Sequence, residues 1–143
     1  ADSFCSALEA GNAEQVEALF TEYMRQTISI RDTFVQHSRK ENFYQGILLG
    51  ILSYKSDWIV RSDRESGDGF SDITIRISNS GTGIVIEVKY AEAGHEEEMV
   101  QKALRQIQDK DYGDEFRQEG IRRILYYGIA CNKKVCRAEV LEV

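Results

Sequence analysis

Apolar residues recur at helical spacing through the first forty positions, at Phe4, Ala7 and Leu8 and then at Val16, Leu19, Phe20 and Tyr23, with a break near Gly11-Asn12. This pattern predicts a helical lead-in. From Glu41 to about Tyr54, Phe43, Tyr44, Ile47, Leu48, Ile51 and Leu52 make a broad apolar face. That face predicts a buried helix, with Glu41 and Gln45 one turn apart along its edge. Beyond it the period drops to two. Trp58, Val60 and Ser62 alternate with Ile59 and Arg61, and Ile73, Ile75 and Ile77 alternate with Asp72, Thr74, Arg76 and Ser78, so two strands are expected. Turn residues at 79–83 lead into a third strand, Ile84 to Tyr90. Met99, Val100, Ala103, Leu104 and Ile107 restore the helical period over about Glu96 to Lys110, with three glutamates in the first turn, where carboxylates suit the helix dipole. Ile124 to Ala130 and Val135 to Val143 predict two more strands around Asn132-Lys133-Lys134.

The order is helices, three strands, a helix and two strands, which gives an α/β domain with a central mixed sheet. At 143 residues, 42% of them apolar, the chain supports one core and predicts a single domain over 1–143, with 1–40 as helical lead-in and 41–143 as the catalytic-type core. It contains no proline and no repeat to mark an internal linker. No apolar run reaches the ~20 residues that span a bilayer, and no secretory pattern opens the chain, so the expectation is a cytoplasmic protein without a membrane partner. The first residue is Ala1, consistent with a piece of something longer.

The formal charge is -6, spread evenly as 5 basic against 8 acidic residues up to position 60 and 13 against 16 after it. This argues against a general basic coat for nucleic acid but leaves room for a small catalytic cleft, whose own carboxylates add negative charge. The basic residues that could border such a cleft are Arg61, Arg64, Arg76, Lys102, Arg105 and Lys110. Cys5, Cys131 and Cys136 do not combine with His37 or His95 at zinc-ligand spacing. They read as free thiols rather than as a disulfide across the last hairpin.

The second and third strands carry the candidate chemistry. A loop at about 79–82 puts Asp72 across from Lys89 and diagonal to Glu87 on one sheet face, because side chains repeat every two residues. Val85 shares that face. Ile84 and the other alternate residues point to the opposite side, and Ile73, Ile75, Ile86 and Val88 are expected to pack on the helix bearing Val100, Leu104 and Ile107. Two carboxylates beside one ammonium suit Mg²⁺, which takes oxygen ligands, keeps several waters, and could add the Val88 carbonyl and a substrate phosphate. A bound metal acidifies water and withdraws charge from phosphate, while Lys89 would hold the water or stabilise the transition state. Glu41 could ligate the same metal or a second one. Gln106 and Tyr112 read as a helix edge and a cap.

The run from Arg61 to Ile73, containing Gly67-Asp68-Gly69-Phe70-Ser71-Asp72, followed by Ile84-Val85-Ile86-Glu87-Val88-Lys89-Tyr90, resembles the PD-(D/E)XK nuclease superfamily. More narrowly, the chain resembles the nuclease-like C-terminal domain that follows an AAA-ATPase-like domain in many bacterial proteins. Glu41-Asn42-Phe43-Tyr44-Gln45-Gly46, Ala103-Leu104-Arg105-Gln106-Ile107 with Lys110 and Tyr112, and Tyr127-Gly128-Ile129-Ala130 fit the same group. The resemblance implies a restriction-endonuclease-like sheet flanked by helices, Mg²⁺ or Mn²⁺ as cofactor, and a nucleic acid substrate, DNA ahead of RNA. It matches Asp72 and Glu87 to the acidic ligands, Lys89 to the catalytic lysine, Glu41 to the acid on the first core helix and Gln106 to a polar residue facing the site. Phe70 departs from the basic residue that relatives often carry there. The ATPase part is missing, since no G-x-x-x-x-G-K-[ST] occurs. The competing expectation is a binding or regulatory module that keeps the fold without turnover.

Overall fold

The computed structural model describes residues 1–27, 37–62 and 72–143, without the side chains of 37–40. Arg64 and Phe70 lie outside the described residues, as does most of the run that precedes Asp72. Helices α1 (Asp2–Ala10), α2 (Ala13–Thr27) and α3 (His37–Leu52) lead into strands β1 (Trp58–Ser62), β2 (Ile73–Ile77) and β3 (Thr82–Tyr90). Helices α4 (Glu96–Gln108) and α5 (Tyr112–Gln118) then precede β4 (Arg123–Asn132) and β5 (Val135–Glu142). Among the described residues no helix is long and apolar enough to cross a membrane.

The strands form one sheet in the order β1-β2-β3-β4-β5. Pairing is antiparallel except between β3 and β4, which run parallel and are joined through α4 and α5. Parallel neighbours need such a crossover, and the helices it carries cover one face of the sheet. The mixed α/β architecture expected from the pattern is therefore present. Helix α5 is an addition, because its seven residues give too little periodicity to stand out.

The two sheet faces hold separate cores. Ile73, Ile75, Ile77, Ile84, Ile86 and Val88 pack with the helices α1 to α3, through Phe4, Leu8, Phe20, Leu48 and Leu52. Val85, Ile124 and Tyr126 pack with α4 and α5, through Val100, Leu104, Ile107 and Phe116. The expectation that Ile73, Ile75, Ile86 and Val88 would meet the α4 stripe is thus overturned. Alternation correctly separates Ile86 from Glu87. It cannot say which helices cover which face, because both faces are buried here: every β3 residue except Lys89 is buried.

The β2–β3 register is also corrected. The turn occupies 78–81 rather than 79–82. Gly81, at φ 63°, takes the left-handed conformation and donates its N–H to the Ser78 carbonyl, so Thr82 already pairs with Ile77. Ile73 then faces Ile86, and one step further along the same register Asp72 faces Glu87 directly, not Lys89. A two-residue slip keeps every side chain on its own face.

The last hairpin overturns the free-thiol expectation for Cys131 and Cys136, which pair across β4 and β5 and form a disulfide; Cys5 stays a buried free thiol. Direct cross-strand placement brings their Cα atoms to 4.1 Å, closer than spacing along the chain alone reveals.

Helix α4 approaches β4 closely at Gly128. A Cβ there would lie 2.7 Å from the Val100 carbonyl oxygen and 3.0 Å from Leu104 Cγ. Backbone cannot yield as a flexible side chain does, so Gly128→Ala is expected to cost roughly 1–3 kcal/mol, read as a lower urea midpoint. An unchanged midpoint would mean that α4 sits farther from the sheet.

Candidate functional site

The site lies at the carboxyl end of β3, on the strand that pairs antiparallel with β2 and parallel with β4. Glu87 is held on β3 between Ile86 and Val88, both anchored in the α1–α3 core. Asp72 immediately precedes β2 and faces Glu87 across the hairpin. Both are buried, at 4% and 5% exposure, which is unusual for carboxylates and makes their partners decisive.

Each carboxylate has one oxygen on a lysine and one with no partner among the described residues. Lys89 Nζ lies 3.4 Å from Glu87 Oε1, and Lys110 Nζ lies 2.8 Å from Asp72 Oδ2. Tyr112 donates its hydroxyl to the same Asp72 Oδ2 at 2.8 Å. Among the described residues, Asp72 Oδ1 and Glu87 Oε2 are buried without a hydrogen-bond partner. Burial pushes the Glu87 carboxyl up to about 7, with the Asp72 charge adding to the rise and Lys89 and Lys110 opposing it. Two buried acceptors left open on facing carboxylates are what a divalent cation would satisfy. Among the described residues no group of three or more His, Cys, Asp or Glu converges. An ion held here would complete its shell with backbone carbonyl, water and substrate oxygens, as Mg²⁺ readily does.

Glu41 is buried one turn into α3, and its Oε2 accepts the Tyr90 N–H at 2.8 Å. It therefore reaches the same end of β3, engaged with the strand's edge rather than with Asp72 or Glu87. The N–H of Ala91 goes to the Cys131 carbonyl on β4, so Tyr90 addresses the opposite, β2 side. Backbone direction alternates along a strand, so the Val88 carbonyl also points to the β2 side. Gln106 is half-buried on α4, and no hydrogen bond among the described residues joins it to the carboxylates.

Of the basic residues proposed to line a cleft, Lys110 reaches the site. Arg76 is bound to Glu119 and Glu115 and lies over the Phe116 ring, paired with Gly83 at the far end of the hairpin. Arg61, Lys102 and Arg105 are exposed. Sequence reasoning had Tyr112 as a helix cap and so missed its contact with Asp72. The signal was the Lys110-Asp111-Tyr112 spacing just after α4, where a short turn can direct two side chains to one neighbour.

No curated protein and no solved structure matches the chain. A family model does, and it spans Glu41, Asp72, Glu87, Lys89, Gln106, Lys110 and Tyr112. Because that model, for the PD-(D/E)XK nuclease superfamily, covers residues 39–140, well over half of the length, the chain belongs to that superfamily.

Proposed function

We propose that the chain is a divalent-metal-dependent nuclease that hydrolyses phosphodiester bonds of DNA, with Asp72, Glu87 and Lys89 as its central residues. One observation supports this reading: Asp72 Oδ1 and Glu87 Oε2 are both buried and without a hydrogen-bond partner among the described residues, with Lys89 beside Glu87. Asp72 and Glu87 would hold Mg²⁺ or Mn²⁺, with the Val88 carbonyl as a third oxygen and Glu41 reaching the ion's outer waters. When bound, the ion supplies charge withdrawal from the phosphate and a more acidic water. Lys89 holds the attacking water and offsets the charge that builds on the phosphate oxygens. The water oxygen bonds to phosphorus as a bridging P–O bond breaks, and the departing oxygen takes up a proton. Gln106 is a candidate contact to the substrate or the water.

The test is cleavage of labelled single- and double-stranded DNA and RNA with Mg²⁺ or Mn²⁺, alongside calorimetric titration of each ion. DNA cleavage that stops on chelation is the expected result. Cleavage of RNA alone would move the substrate assignment. No ion affinity and no cleavage of any substrate would end the nuclease reading and favour a binding module.

A further inference from the structure

Resting on the reading of Asp72 as an ion ligand, we propose that Lys110 and Tyr112 are a donor pair built for Asp72, with Tyr112 fixing the orientation of its carboxylate and Lys110 serving as its counter-charge until an ion binds. Both come from the short connection between α4 and α5. The Lys110 N–H bonds back to the Ile107 carbonyl, and Tyr112 opens α5 with its ring packed against the α4–α5 core. Their donors converge on a single oxygen, Oδ2, each at 2.8 Å. The Asp72 side chain has no exposure at all, while Lys110 keeps 34%, so the lysine borders solvent and the aspartate does not.

A carboxylate has one soft torsion that decides which oxygen meets a ligand. Two donors on Oδ2 fix that torsion and leave Oδ1 as the oxygen without a hydrogen-bond partner among the described residues. Outer-sphere donors of this kind orient the ligating group and tune its strength. The two are not redundant. Tyr112 is neutral, so it acts through orientation alone. Lys110 carries charge and also acts on Glu87, so it offsets the carboxylate pair while no cation is present. A merely structural strut, tying the α4–α5 turn to β2, would make the same contacts and must be told apart by experiment.

Tyr112→Phe keeps the ring and removes the hydroxyl. Its Mn²⁺ affinity by calorimetry is expected to fall about 10-fold, the lower end of what loss of an outer-sphere partner does. Its Tm in chelator should stay near wild type. Lys110→Met is expected to lower Tm in chelator by more than it lowers Tm in saturating Mn²⁺, because the ion takes over the missing charge; Lys110→Arg should restore the wild-type values. A strut predicts equal losses with and without Mn²⁺. Wild-type Mn²⁺ affinity in Tyr112→Phe, or equal losses for Lys110→Met, overturns the donor-pair proposal alone. Absence of Mn²⁺ affinity in the wild type overturns it together with the nuclease site.

Discussion

Lys89→Ala is expected to lose cleavage by about 10²-fold or more while retaining affinity for Mn²⁺, the magnitude typical when a transition-state charge stabiliser is removed. The separation follows from which oxygens are occupied. Lys89 sits on Glu87 Oε1, whereas the unpartnered oxygens are Glu87 Oε2 and Asp72 Oδ1. Removing the lysine vacates one side of Glu87 without touching the oxygens offered to the ion. Its side chain is only 12% exposed, so it arrives already placed beside the carboxylates. Single-turnover cleavage and calorimetry on the same preparation provide the comparison. Loss of Mn²⁺ affinity in step with cleavage would show that Lys89 holds the ligand rather than the reacting groups. Full cleavage would remove it from the chemistry.

Glu87→Gln carries a second large effect, with opposite signs for function and stability. Mn²⁺ affinity and cleavage should vanish, since an amide is a poor ligand for a hard cation. Metal-free stability, however, should improve at high pH. The wild-type carboxyl is raised from the ordinary 4.5 to about 7 in the folded chain, by burial first and then by Asp72. The folded state therefore binds this proton more tightly than the unfolded chain does. The stabilisation is complete below about pH 4.5 and is lost as pH rises through 7, amounting to roughly 3 kcal/mol at most. Urea unfolding in chelator at pH 5 and pH 8 should show wild type losing stability relative to Glu87→Gln between the two. A difference that does not change with pH would mean that Glu87 ionises as an ordinary surface glutamate. Added Mn²⁺ should recover the loss in wild type alone, because binding to the folded state stabilises it.

Much of this site is legible in the sequence because it is local. Asp72 and Glu87 flank a hairpin, and the switch to a two-residue period assigns them one face whether or not the turn is placed correctly. The same parity hides the two-residue slip, which required the left-handed Gly81 to be recognised as the last residue of the turn. The covering helices were assigned to the wrong face because both faces of β3 are apolar, so no polar side marks which way the chain folds back. Tyr112 was missed because its contact with Asp72 spans 40 residues. Periodicity describes neighbours along the chain, and this contact depends on how α4 and α5 settle over the sheet. The Cys131–Cys136 pair failed for a related reason: cysteine spacing alone does not distinguish a turn with free thiols from strands in direct register.

Glu41 has a consequence that reaches past the chemistry. Its carboxylate accepts the Tyr90 N–H on the β2 side of β3, the position that the carbonyl of an incoming strand would otherwise occupy. A helix side chain thereby occupies a backbone donor three residues along β3 from Glu87. At that backbone group an incoming strand finds its acceptor place already taken, so this end of β3 is a poorer template for edge-to-edge pairing.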